Sequence, residues 1–339
     1  MNSETQEVKF SIIIPVQKIN DYILETCGKL EKLENRNFEI IIFPDEVEEN
    51  NSEMEGKLNA RIIPTGKVSP AVKRDMAIKY AKGEYLAFTD DDAYPDEKWL
   101  DIAEEYLKDD AVAAVGGPQL TPEDDSFWQK VSGAMFMSIL SGGAVIRYWP
   151  GEKIQEVDDW PTVNFIIKKK DFEAIDGFDS AYWPGEDTKL CLDIIKKLEK
   201  KIIYIPKLVV FHHRRSGFRK HLKQTGNYGL HRGHFAKVFP ETSMKFTSLY
   251  FVPSLFVVFL LLGAILSPFN ATISLLYSFG LGVYLVAVIA SSLMLVEKTK
   301  SLLVSVMTIP YMISFHIWYG IRFIQGYFFT KELKSKLGK

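Results

Sequence analysis

From Phe246 to Val296 the chain carries no charged side chain for 51 positions. No other feature restricts the fold as much. A soluble fold needs charge on its outward faces, whereas about 20 apolar residues suffice for a helix to cross the hydrocarbon of a bilayer. Helices do this because their backbone polar groups are satisfied within the segment. Pro268 and Asn270 interrupt the run near its middle, which predicts helices over 247–267 and 271–296. A further uncharged run, Ser301–Ile321, contains Pro310 and predicts a third helix over 301–329.

Charge elsewhere is arranged around that region. The net charge of the 339 residues is only −2, yet residues 1–211 hold 26 Lys and Arg against 40 Asp and Glu. Residues 212–245 hold eight basic side chains against one acid, with five of the six histidines. We read an acidic soluble domain over 1–235, ending in a basic collar, and a membrane domain over 236–339. The collar and the "EKTK" at 297–300 follow the positive-inside rule, and the four lysines of "TKELKSKLGK" oppose it for three full crossings. The opening "MNSETQEVKF" lacks the apolar core of a signal peptide. The expectation is a multi-pass cell-membrane protein with its catalytic domain in the cytoplasm. Cys27 and Cys191 lie far apart, as suits free thiols in a reducing compartment. Apart from His316 the spans hold almost no ionisable group, which argues against a channel or transporter. A basic, aromatic-rich collar suits nucleic acid in general. Beside a membrane span, anionic lipid headgroups or a diphosphate-lipid are simpler targets, so membrane lipids and no nucleic acid are expected as partners.

In the soluble part, short apolar runs at 9–17, 38–46, 60–66, 85–92 and 111–120 alternate with helical periods such as Tyr22–Leu33 and Pro70–Ala81. That alternation indicates a parallel sheet covered on both faces, with ligands at the carboxyl ends of its strands. Asp45 and Asp90–Asp92 fall at such ends. A second group comprises 162–179, a helix over 185–198 with Glu186 and Asp187 in its first turn, and a strand pair around Pro206 over 201–213. A helix start explains one acid, Asp96, but explains Asp90, Asp91 and Asp92 poorly. A divalent cation, Mg²⁺ or Mn²⁺, explains them better, because such ions take carboxylates together with substrate phosphates. On an extended segment Asp90 and Asp92 face one side while Asp91 turns away.

The order of these elements resembles family 2 glycosyltransferases. "FSIIIPV" is similar to their first strand, and "GKVSPAVKRDMAIKYAKGEYLAFTDDD" to their Arg-bearing helix, Ala-Lys-Gly-Glu, strand and Asp-x-Asp motif. "NFIIKKKDFEAIDGFD", "GEDTKLCLDI" and "VVFHHRRS" are similar to the acceptor-side segment, the Glu-Asp catalytic motif and the strand ending in a metal-side histidine. The resemblance covers about 10–235. The C-terminal spans resemble those of the subgroup that builds polysaccharides or lipid-linked glycans.

The resemblance implies a GT-A nucleotide-sugar-binding domain, an α/β fold with a Rossmann-like mixed sheet and helices on both faces, plus a helical membrane region. It also implies a membrane-anchored, inverting glycosyltransferase, dependent on Mn²⁺ or Mg²⁺. The donor would be a nucleotide sugar, UDP-linked in the first instance, and the acceptor a lipid-linked saccharide or growing polysaccharide. Asp187 would be the general base, with Glu186 beside it. Asp90, Asp92 and His212 would hold the metal; alternation lets only one of His212 and His213 do so. Donor contacts would come from Pro15, Asp45, Lys73, Arg74, Asp90 and Asp91, and acceptor contacts from Trp183 and Gly185. Trp149 and Trp160 are further aromatic candidates for a sugar ring. The chain departs from the family where Val16, Gln17 and Lys18 replace a polar triplet, where Pro44 replaces one of two aspartates, and where Asp75 replaces an Asn. These departures imply altered base recognition. The absence of Gln-x-x-Arg-Trp implies one sugar per encounter. Two other readings are a polyprenyl-phosphate glycosyltransferase, which needs no base, and a non-catalytic membrane module that binds glycans or scaffolds a synthase.

Overall fold

The computed structural model of the chain describes residues 8–46, 51–142, 145–178, 182, 185–243 and 247–333. In chain order the first elements are β1 (Phe10–Pro15), α1 (Asp21–Leu30), β2 (Phe38–Phe43), α2 (Asn51–Leu58) and β3 (Arg61–Ile62). Next come α3 (Pro70–Asp75), α4 (Ala77–Tyr80), β4 (Tyr85–Phe88), β5 (Ala93–Pro95), α5 (Trp99–Leu107), β6 (Val112–Gly116) and β7 (Gln119–Leu120). Then follow α6 (Phe127–Phe136), α7 (Val145–Tyr148), β8 (Gln155–Val157), β9 (Phe165–Lys168), α8 (Lys169–Ala174) and α9 (Glu186–Lys197). The last are β10 (Lys201–Tyr204), β11 (Val210–His212), α10 (Phe218–Val238), α11 (Thr247–Leu266), α12 (Ala271–Thr299) and α13 (Leu302–Ile324).

Two compact units result. One comprises the chain up to Leu120 together with Pro150–His212; the other comprises Thr121–Trp149 and His213–Leu333. Among the described residues the division falls at 120/121, 149/150 and 212/213.

The first unit is built on an eight-stranded sheet of order β3-β2-β1-β4-β9-β6-β10-β8. β1 runs parallel to both β2 and β4. Its six residues are all buried, which explains why "FSIIIP" reads as an unbroken apolar run. Ile23, Cys27 and Leu30 of α1 and Leu100, Ala103 and Leu107 of α5 join the same core. The sheet is mixed, as the resemblance implies, although the apolar runs by themselves suggest parallel strands. β9 lies antiparallel between β4 and β6, and β8 antiparallel to β10. Only a strand reached by a helical crossover is obliged to run parallel, and β9 follows the long excursion through 121–160 instead. The single helix read over Pro70–Ala81 is two. Ser69 and Pro70 start α3 as its cap and first residue, and the chain re-forms a turn at Met76 as α4.

Among its described residues the second unit contains three helices long and apolar enough to cross a membrane: Leu249–Phe269, Ala271–Thr299 and Leu302–Phe329. These bounds agree closely with the sequence reading. α6 packs against α13. Polar bonds seam the interior: Ser292 Oγ donates to Ser305 O at 2.6 Å, and Ser138 and Ser291 share a hydrogen bond of 2.7 Å. His316 links Tyr284 (2.9 Å) to the carbonyl of Leu140 (2.9 Å).

Candidate active site

A second, three-stranded sheet of order β5-β11-β7 lies beside the side chains that could hold a metal ion, Asp90, Asp92 and His212. β4 delivers the chain to the turn at Asp90–Asp92, and β5 begins at Ala93 directly after it. β5 pairs antiparallel with β11 so that Ala93 stands opposite His212. β11 pairs parallel with β7, with Val210 opposite Gln119. Asp92, His212 and Gln119 therefore converge from three distant parts of the sequence.

Gln119 Oε1 only accepts, so the His212 Nδ1 that lies 2.7 Å from it donates its proton there. His212 Nε2 then faces Asp92 Oδ1, 3.1 Å away. Two acceptors held that close require a cation between them, either a proton or a metal ion. Ligand atoms of Asp90, Asp92 and His212 all lie within 4.8 Å of one another. Two hard carboxylates and an oriented imidazole suit a small divalent ion such as Mn²⁺.

Asp91 is turned aside, as alternation predicts. It accepts a bond of 2.8 Å from Asn20 Nδ2, while Asn20 Oδ1 caps α1 through the Ile23 amide. Burial, then the charge of Asp92, pushes the Asp91 carboxyl up to about 6.

The cationic residues of α3 differ in what engages them. Lys73 is buried, and its ammonium bonds to Val16 O (2.5 Å), Phe43 O (3.2 Å) and the Asp45 carboxylate. Its three donors thus tie α3 to the ends of β1, which closes at Pro15, and β2. Arg74 Nη2 donates to Asp90 Oδ1 at 2.7 Å, and Nη1 lies 3.5 Å from Glu186 Oε1. The Arg74 guanidinium also sits over the Phe178 ring, 5.8 Å from its centroid. Asp75 Oδ1 accepts from the Phe178 amide at 2.7 Å. Gly177 before it has φ 72°, and a Cβ there would stand 2.4 Å from Asp75 Oδ1, so glycine is required.

Glu186 and Asp187 open α9, whose cap Gly185 has φ 126°. Glu186 is enclosed and accepts from the Gly185 amide at 3.0 Å. Burial is the main cause, and the Asp187 charge the second, of a Glu186 carboxyl pushed up to about 7, against the opposing pull of Arg74. Asp187 is half-buried and accepts from the Thr188 amide at 2.9 Å. It is the more accessible carboxylate of the pair.

Trp183 lies outside the described residues. Trp160 is core, its indole donating to Gly117 O at 3.1 Å, and Trp149 lies in the helical unit, 38% exposed. His213 bonds to Asp125 at 2.5 Å and, among the described residues, is not in the group of Asp90, Asp92 and His212 that could hold a metal ion. Sequence reasoning missed Gln119 and Asn20, which orient the cluster from outside it. Their positions just beyond β6 and β1 were the only available signal.

The comparisons with known proteins agree with this geometry. Residues 11–171 match the model of glycosyl transferase family 2. A stretch of 108 residues, 30% of this chain, is 28% identical to the poly(ribitol-phosphate) beta-N-acetylglucosaminyltransferase TarS of Staphylococcus aureus, in each of two strains. That match spans only 19% of TarS. Among solved structures, the mannosyltransferase PcManGT from Pyrobaculum calidifontis, in complex with GDP-Man and Mn²⁺, shares the fold with a TM-score of 0.64. Identity there is 17%, over 93% of this chain and 87% of that one. Residues 11–171, which include the aspartate turn and β9, thus match the glycosyl transferase family 2 model, and the fold is the one that PcManGT shares.

Proposed function

We propose that the protein is a metal-dependent, inverting glycosyltransferase anchored in the cell membrane by α11, α12 and α13. Its donor is a nucleotide-diphosphate sugar, UDP-linked in the first instance. Its acceptor is a hydroxyl of a lipid-linked saccharide or growing polysaccharide, met at the cytoplasmic face. The observation that carries this reading is the convergence of Asp90, Asp92 and His212 within 4.8 Å, one guanidinium away from the Glu186–Asp187 pair.

Asp90, Asp92 and His212 would hold the divalent ion, with Gln119 keeping the histidine in the tautomer that leaves Nε2 free to coordinate. Mn²⁺ or Mg²⁺ there would neutralise the charge that develops on the leaving diphosphate. Asp187 takes the proton of the acceptor hydroxyl as that oxygen attacks the anomeric carbon. One bond forms from oxygen to carbon, and the bond from carbon to the diphosphate oxygen breaks. The electron pair leaves with the nucleotide. A single displacement inverts the anomeric centre, so an α-linked donor gives a β-linked product. The uncharged faces of the three long helices support membrane anchoring, and the basic stretch 212–245 supports contact with anionic headgroups.

Released nucleotide measured from a panel of UDP-, GDP- and dTDP-sugars, with Mn²⁺, Mg²⁺ or EDTA, tests the reading. Metal-dependent release from one donor, lost in Asp92→Ala, is expected. Undiminished turnover in Asp187→Asn would instead point to an acceptor that is already anionic, such as a polyprenyl phosphate. Failure to bind any nucleotide would leave a non-catalytic module.

A further inference from the structure

Arg74 stands where the two halves of the proposed site meet. Its side chain is buried, with 4% of its surface exposed. Only Nη2 makes a well-formed hydrogen bond, the one to Asp90; Nε and Nη1 have no hydrogen-bond partner among the described residues. Nη1 nevertheless lies 3.5 Å from Glu186 Oε1. A buried guanidinium with unused donors beside a second carboxylate is held short of its full bonding. Its backbone has little freedom to adjust. Lys73 on one side is tied to the ends of β1 and β2, and Asp75 on the other is tied to the Phe178 amide. Any redistribution of its bonds is therefore left to the side chain, between Asp90 and Glu186.

Building on the metal-dependent reading above, we propose that Arg74 is a positioning residue that couples the donor and acceptor halves of the site. A metal ion drawing on the Asp90 oxygens competes with Arg74 for them. The guanidinium then turns its unused donors to Glu186, and the Glu186–Asp187 pair reaches its working arrangement only once the donor side is loaded. Coupling of this kind is reciprocal: a change at Glu186 must be felt at the metal. Glu186 itself belongs to no metal-ligating set among the described residues.

The test is a double-mutant cycle on Mn²⁺ affinity, read from the free-ion electron paramagnetic resonance signal with the full chain in detergent at pH 8. The variants are Glu186→Gln, which is isosteric, Arg74→Met, which keeps the length and packing of the side chain, and the pair together. Glu186→Gln is expected to weaken Mn²⁺ binding about fivefold or more by leaving Arg74 wholly to Asp90. In the Arg74→Met background the same change is expected to do nothing. An unchanged affinity in Glu186→Gln would overturn the proposal. So would an equal loss in both backgrounds, which would mean that the carboxylate acts through space and not through Arg74. Absence of saturable Mn²⁺ binding in the unsubstituted protein would remove the metal-dependent reading, and this proposal with it.

Discussion

The two units bury opposite things. In the sheet unit Ile12, Ile13 and Leu86 are fully enclosed, while charged side chains such as Lys67 and Glu46 lie out in solvent. In the helical unit Leu275, Phe279 and Val286 are 70%, 69% and 67% exposed, while Ser292, Ser305 and Thr308 are fully buried. The inversion is what a helical unit set in a bilayer, as proposed, would show. Lipid offers no hydrophobic gain for packing helix on helix, so small polar residues that allow close approach and interhelical hydrogen bonds occupy the seam. One chain thus carries two folding codes, and the proposed chemistry belongs to the unit that obeys the aqueous one.

The comparison can be broken at several points. Asp92→Ala in the sheet unit should lower metal-dependent nucleotide release by about a thousandfold, close to 4 kcal/mol, and leave the melting of both units nearly unchanged. Phe279→Arg on the outward face of α12 should cost about 3 kcal/mol if that face meets hydrocarbon. Carbonate extraction of membranes reads this directly, and equal retention of variant and parent would mean that the face meets water or protein. Gln119→Leu should weaken Mn²⁺ binding about tenfold or more by freeing the His212 ring, with its effect on activity rescued at high metal concentration.

The sheet unit should also respond to pH through one buried acid. Burial raises Glu186 from 4.5 to about 7. Between those values the unfolded chain has already lost the proton that the folded chain keeps, so folding stability falls as pH rises through this window. Glu186→Gln removes the effect: its melting temperature relative to the parent should climb from pH 5 to pH 7 and then level off. The smallest effect is expected from Ser292→Ala, which deletes one seam bond in the helical unit and should cost about 0.6 kcal/mol.

Much of this was legible in the sequence wherever the signal was local. A six-residue apolar run, a 51-residue uncharged run and three adjacent aspartates each carry their meaning within a short window. Alternation at the end of β11 separates His212 from His213: the first faces Asp92 and the second bonds to Asp125. What escaped depends on partners far apart in the chain. Nothing near Phe165 says that β9 enters the sheet antiparallel, because its direction is set by the route of the preceding excursion. Nothing near Thr121 assigns 121–149 to the helical unit, because His316 and Ser291 reach that segment from more than 150 positions away. Lys73 looked like a phosphate ligand, since its residue type suits that role. Only the fold reveals that its three protons are taken.

The pairing of Ala93 with His212 works as a ruler. Its zero mark lies in the short connection between β10 and β11, from Ile205 to Val209. Replacing a side chain in that connection leaves the ruler intact. Adding or deleting one residue would slide β11 by a step, present Phe211 or His213 where His212 belongs, and point the imidazole to the opposite face. Tolerance along this stretch should therefore be generous to spelling and strict to length. A library of single-residue insertions and deletions through 205–209 would lose metal binding almost without exception, while one of point substitutions would keep it.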